Sequence, residues 1–253
     1  MAESVKSAMQ KTWIDHIPAL WIEPDSGSPT RKLVIWIPPF TSRKEDMERY
    51  LREFAARGFF ALSFDPWQHG QRATESPEAL QARVFGDFRR FMWPIFAHTA
   101  LDALRVVDWA IDRWNVERGI RVGGISMGGD VAVAAAGIDP RITCAAVIAA
   151  TPDWTRMGMD LPPGKADSYS QFFYENLDPL THPERYRHMP AIAFECGAED
   201  QHVPADGALR FQEALRETYH SCPDRLRVTL HPGAGHTTTE AMWRNCLQWI
   251  LAH

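Results

Sequence analysis

Ser126 stands in Gly124-Ile125-Ser126-Met127-Gly128, a G-x-S-x-G pattern. Three fixed residues at ~7% frequency recur by chance in about a tenth of chains this long, so the pattern means little without its surroundings. Here the surroundings are specific. Residues 120–125 (IRVGGI) read as a buried strand, and residues 131–136 (VAVAAA) as a helix of very small residues. A strand passing straight into a helix turns so sharply that the positions two before and two after its apex have no room for side chains. Gly124 and Gly128 meet that need, with Gly123 and Gly129 as further relief. The turn would lift the Ser126 hydroxyl out of the sheet and leave it at a helix N-terminus, which favours developing negative charge. The plainer reading is a serine capping a helix after a glycine-rich turn.

A hydroxyl is a poor nucleophile at neutral pH, so Ser126 needs a base and an acid to orient it. Asp200 lies in Gly197-Ala-Glu-Asp-Gln-His-Val-Pro204, directly after the apolar run 191–196, with Glu199 as a neighbouring carboxylate. His236 ends the glycine loop His231-Pro-Gly-Ala-Gly-His236, which follows the run 226–230. Asp153 is the rival acid; between Pro152 and Trp154 it reads as a surface or helix-capping residue. An oxyanion needs two backbone N–H donors, one from the residue after the nucleophile and one from the loop after the strand at 33–37 (LVIWI). Met127 supplies the first. Pro38 and Pro39 have no N–H, so the first donor in the second loop is Phe40, with Thr41 next.

These residues require a frame that brings strand ends to one edge. Short apolar runs at 33–37, 59–64, 120–125, 144–150, 191–196 and 226–230 alternate with helical periodicity, the mark of a mostly parallel sheet covered by helices. Met47, Tyr50, Leu51, Phe54 and Ala55 repeat at helical spacing, and Gly58 closes that helix. Residues 98–114 put Leu101, Leu104, Val107, Ile111 and Trp114 on one face and Asp102, Arg105 and Asp108 outside. Helices are also expected at 204–219 and around Met242, Cys246 and Ile250, and an antiparallel edge at 13–16 and 19–23. Two segments break the alternation, roughly 67–95 and 151–188, and both follow strand ends, where open α/β sheets place ligands. The second is long for a loop and reads as a lid-like insertion. Trp67, Phe91, Met92 and Trp93 from the first, and Trp154, Met157 and Met159 from the second, are candidates to line an apolar pocket.

The chain has 253 residues, 45% of them hydrophobic and 23% charged, which excludes disorder, collagen and coiled coil. A net charge of −5 gives no reason to expect nucleic acid or an anionic membrane as partner. Four cysteines form no disulfide framework and no Cys-x-x-Cys pair. Cys144 and Cys196 sit in apolar runs and read as buried thiols. The first ten residues lack the apolar core of a signal peptide, and no run approaches the ~20 apolar residues of a membrane span. The expectation is a single-domain, cytoplasmic protein over 1–253; no residue pattern sets an oligomeric state.

Over nearly its whole length the chain resembles the α/β-hydrolase superfamily, whose triad runs in the order Ser126, Asp200, His236. It is most similar to small bacterial serine esterases related to dienelactone hydrolases and to the catalytic domains of prolyl-oligopeptidase-type enzymes. The residues that carry this likeness are Pro38–Asp46, Asp65-Pro-Trp-Gln-His69-Gly70, Gly124–Gly128, Gly197–Pro204 and Gly235-His236. The family's first motif usually reads His-Gly-Phe; here it is Pro-Pro-Phe, which stiffens the loop but keeps the Phe40 amide. Dienelactone hydrolases proper use cysteine, so Ser126 points to the esterase branch. Asp65 and His69 match a motif that fixes the loop beside the site. The resemblance implies the α/β-hydrolase fold and hydrolysis of a small-molecule carboxylic ester, with an apolar or aromatic moiety, through an acyl-enzyme and without cofactor or metal. Thioesters, lactones, amides, C–C bonds and acyl transfer to another alcohol are open to the same apparatus. From another class, the rival is a non-catalytic binding protein on this scaffold, which would have no need of all three triad residues.

Overall fold

The computed structural model describes residues 8–24 and 31–253. The sequence readings at positions 1–7 therefore lie outside the described residues. Eight strands form one sheet: β1 (Met9–Ile14), β2 (Ile17–Ile22), β3 (Lys32–Ile37), β4 (Phe59–Phe64), β5 (Ile120–Ile125), β6 (Ile142–Ile148), β7 (Ala191–Gly197) and β8 (Leu226–His231). Their order is β1-β2-β4-β3-β5-β6-β7-β8. Only β2 runs against its neighbours; β4 to β8 are parallel throughout. This is the α/β-hydrolase fold. The antiparallel edge predicted near the N-terminus is present but shifted, because Asp15, at φ 52°, makes Asp15-His16 the turn instead of a strand end.

β3, β5, β6 and β7 are buried along almost their whole length on both faces, so their sequences run nearly unbroken in apolar residues instead of alternating. The helices are α1 (Glu48–Ala55), α2 (Pro77–Gly86), α3 (Phe88–Trp114), α4 (Met127–Ile138), α5 (Ser168–Leu177), α6 (Asp206–Ala214) and α7 (Glu240–Ala252). Two core clusters lie on opposite faces of the sheet. One gathers α3, α4 and α6; the other gathers α1 and α7, with the Trp243 ring meeting both Trp36 and Phe54 edge-on. Among the described residues no helix is long and apolar enough to cross a membrane.

The first irregular segment is the main departure from the sequence reading. Residues 77–86 form α2, whose N-cap Ser76 accepts from the Ala79 N–H, and α3 starts at Phe88, ten residues before the predicted helix. Pro94 suggests a break, yet the apolar stripe runs through it: Phe88, Met92, Ile95, Phe96, Ala100, Ala103, Val107 and Ala110 are all buried. The face is also rotated from the expected one. α3 packs against α4, whose residues 131–136 are all small, whereas Leu101 is exposed and Asp102 is buried in an ion pair with Arg72 at 2.6 Å.

Because β4 follows β3 on one side and β5 lies on its other side, the chain reverses direction across the sheet at β3/β5. There the loops leaving the strand ends part and open a crevice.

Candidate active site

Ser126 leaves β5 with φ 51° and ψ −122°, a sparsely populated conformation for a residue with a side chain. The turn is held by its own backbone: Ser126 N–H donates to Ile148 O at 2.8 Å, and Gly129 and Asp130 N–H donate to Ser126 O. A Cβ on Gly124 would lie 2.6 Å from the Gly128 carbonyl carbon, and one on Gly128 would lie 2.1 Å from Ile37 O. The two glycines thus let α4 press against both β5 and the end of β3, and this brings the Phe40 loop beside Ser126.

The base and acid arrive on two loops stitched together. Glu199 N–H donates to Ala234 O at 2.9 Å and Ala198 N–H to His231 O at 3.0 Å. Across this seam His236 Nδ1 lies 2.8 Å from Asp200 Oδ2, and His236 Nε2 lies 3.0 Å from Ser126 Oγ. A carboxylate only accepts, so Nδ1 carries the proton and Nε2 is the acceptor facing the Ser126 hydroxyl. Burial pushes the Asp200 carboxyl up, but hydrogen bonds from His236 and from the Val203 and His202 N–H groups outweigh it and hold it below the usual carboxylate range. Glu199 is exposed and joins this arrangement only through its backbone. Asp153 is committed elsewhere: its carboxylate pairs with Arg210 and accepts from Thr155.

Met127 opens α4, where a helix leaves its first N–H groups without intrahelical partners, and Phe40 lines the crevice with Ser126. The Phe40 loop is fixed from below by Asp65. Its buried carboxylate accepts from Lys44 Nζ at 2.8 Å, from Lys44 N–H at 3.0 Å and from Gln71 N–H at 2.8 Å. Gly70, at φ +54°, lies so close that a Cβ would fall 2.2 Å from the Asp65 carboxyl carbon. His69 then meets the Phe40 ring edge-on at 5.3 Å. Lys44 and Asp65 are both buried, so Lys44→Met leaves an uncompensated charge inside the protein. We expect it to reduce unfolding free energy by about 3–5 kcal/mol, read from urea denaturation. A loss under about 1 kcal/mol would mean that Gln71 and the backbone suffice to hold Asp65.

The cleft at Ser126 has a volume of about 470 Å³ and is lined by Phe40, Phe85, Ile125 and Ala149 with Thr41, Gln81, His202, His236, Thr237 and Thr238 among others. None of the aromatic and methionine residues proposed from the sequence lines it. Met92, Trp93 and Trp154 are core residues, with Trp93 Nε1–H donating to Trp154 O at 2.7 Å. Trp67 stacks on His98 at 4.7 Å, Phe91 and Met159 pack against the core, and Met157 is exposed. The reason is the unpredicted helices: once 88–95 is helical, its large side chains turn into the core, and α2 supplies the cleft wall through Gln81 and Phe85. Their four-residue spacing was the available signal.

The 151–188 segment is packed down, not loose. Buried Arg156 pairs with Asp130 at 2.6 Å, Tyr174 of α5 stacks on Trp93 at 4.4 Å, and Asp178, pushed up to about 6 by burial, accepts from the Trp154 N–H. Cys144 and Cys196 are buried thiols, each pushed up to about 12 by burial, which removes them as nucleophiles.

Residues 97–250 match the sequence profile of the prolyl oligopeptidase family. Esterase YjfP of Escherichia coli (strain K12) is 27% identical over 217 residues, covering 81% of this chain and 82% of that protein. Among solved structures, TT1662 from Thermus thermophilus superposes with a TM-score of 0.78 at 24% identity, covering 98% of both chains. The acylaminoacyl peptidase of Pyrococcus horikoshii gives 0.70 at 14% identity, covering 99% of this chain and 41% of its own.

Proposed function

The chain belongs to the prolyl oligopeptidase family and is a serine hydrolase of that kind, and from this premise we propose that it cleaves carboxylic esters through an acyl-enzyme on Ser126. The observation that carries this reading is the continuous relay from Ser126 Oγ to His236 (3.0 Å) to Asp200 (2.8 Å) at the wall of an open cleft. His236 Nε2 takes the hydroxyl proton as Ser126 Oγ attacks the ester carbonyl, and Asp200 holds the imidazole in the required tautomer. The Phe40 and Met127 N–H groups donate to the oxyanion. His236 returns the proton to the leaving alcohol, the acyl–oxygen bond breaks, and the same base then activates the water that releases the acid. Phe40 and Phe85, stacked at 5.5 Å, with Ile125 and Ala149, offer the acyl chain an apolar wall.

A series of p-nitrophenyl esters of rising acyl length tests this. Turnover should favour short and medium chains that fit the cleft. Turnover of anilides with none of any ester would overturn the reading. The pH dependence follows from the relay. His236 must be neutral to accept the proton, so kcat/KM rises with pH. Asp200, held below the usual carboxylate range, is already ionised near neutral pH. The acid limb of log(kcat/KM) should therefore have unit slope; a slope of two would mean that a second group must also lose its proton for activity.

A further inference from the structure

His202 lines the cleft two residues after Asp200, and the reaction above gives its side chain no role. Its Nδ1 lies 3.0 Å from Asp160 Oδ1, a carboxylate brought by the 151–188 segment. Its ring meets the His236 ring edge-on at 4.9 Å and lies 5.3 Å from the Phe85 ring. The side chain is thus fixed on three sides. Since the Asp160 carboxylate can only accept, the His202 proton sits on Nδ1 and Nε2 presents a lone pair. Among the described residues Nε2 has no protein partner, and it is not sealed from solvent. Burial, and after it the Arg156 guanidinium, hold this imidazole below its ordinary pKa, so at pH 7 it remains neutral and Nε2 remains an acceptor.

The position of that lone pair relative to the reaction follows from His236. The base must reach the leaving oxygen to protonate it, so the alcohol part of the ester lies against His236. A ring packed on His236 in the same cleft flanks the alcohol. Resting on the ester reading, we propose that His202 Nε2 accepts a hydrogen bond from a second hydroxyl of the alcohol moiety, which makes this protein selective for esters of diols and polyols over those of simple alkanols. Thr41, Gln81, Thr237 and Thr238 add further polar groups to the same cleft. Asp160, from the far segment, acts as a positioning residue by fixing the tautomer. A site built to bond a hydroxyl discriminates against the analogue lacking it, because the acceptor is then left unpaired.

The test is a matched pair, 2-hydroxyethyl butyrate and propyl butyrate, which differ by a hydroxyl in place of a methyl group. The readout is the ratio of their kcat/KM values, corrected for their relative rates of alkaline hydrolysis. This ratio does not depend on how much of a variant is folded. The wild type should favour the hydroxyethyl ester by about two- to tenfold, the worth of one net hydrogen bond. His202→Phe should bring the ratio to one or below, His202→Gln should retain part of the preference through its amide oxygen, and Asp160→Ala should lower it with His202 still in place. A wild-type ratio near one, or a ratio unchanged in His202→Phe, overturns the proposal while leaving ester hydrolysis standing. Failure to cleave the hydroxyethyl ester while p-nitrophenyl esters turn over overturns the proposal alone; failure on every ester removes the ester reading, and this proposal with it.

Discussion

With Ser126 replaced by alanine, kcat on a good ester should fall by about a thousandfold or more, while the melting temperature stays close to that of the wild type. Alanine keeps the Cβ and occupies the same strained backbone at φ 51°, so the turn has no cause to move. His236→Ala should fall as far. The informative measurement is the double variant: two groups that act as one unit lose their effect together, so Ser126→Ala with His236→Ala should be no slower than either alone. Multiplicative losses, or more than about a thousandth of wild-type kcat in Ser126→Ala, would point to another nucleophile.

Asp200→Asn should be the second large loss, about 10³- to 10⁴-fold in kcat. The asparagine side chain can still accept the Val203 and His202 N–H groups through one atom, so the loop survives. Its amide nitrogen, turned toward His236 Nδ1, would donate where the carboxylate accepted, and this favours the tautomer with the proton on Nε2, facing Ser126. Asp153→Asn can keep the Thr155 N–H through its amide oxygen and loses only the ion pair to Arg210, away from the cleft, so it should alter kcat little. Steady-state kinetics of both variants on one ester decide between them. A crippled Asp153→Asn beside a near-normal Asp200→Asn would reverse the assignment of the acid and leave Ser126 and His236 in place.

The parts of this site that could be read in the sequence are those whose chemistry restricts residue type locally. Gly124 and Gly128 are needed because Ile37 O and the Gly128 backbone leave no space for a Cβ, and that shortage is implicit in any strand-to-helix turn this tight. Asp200 follows the buried strand β7 and His236 follows its parallel neighbour, the edge strand β8, so their emergence on adjacent loops follows from parallel topology. The cleft wall was not legible in the same way. Which face of α3 turns inward is decided by the small residues of α4 against it, a tertiary preference that makes Leu101 an outer residue and Asp102 an inner one. The first turns of that helix fall in the segment 67–95 that breaks the alternation, where nothing local shows that Met92 and Trp93 belong to the core. Lys44 illustrates the same limit from the other side: a lysine between Arg43 and Glu45 reads as surface, and only the approach of Asp65 from β4 makes it a buried anchor.

Covalent labelling tests Ser126 as the nucleophile most directly. A fluorophosphonate offers a phosphorus centre that Ser126 Oγ can attack, with fluoride leaving and a stable phosphonyl ester remaining on the enzyme. Mass spectrometry of the digested protein should find one adduct, on the peptide carrying Ser126, formed in step with loss of activity. It should be absent from Ser126→Ala and form far more slowly in His236→Ala. An unlabelled Ser126 in active enzyme, or inactivation that tracks an adduct on any other residue, would contradict the account.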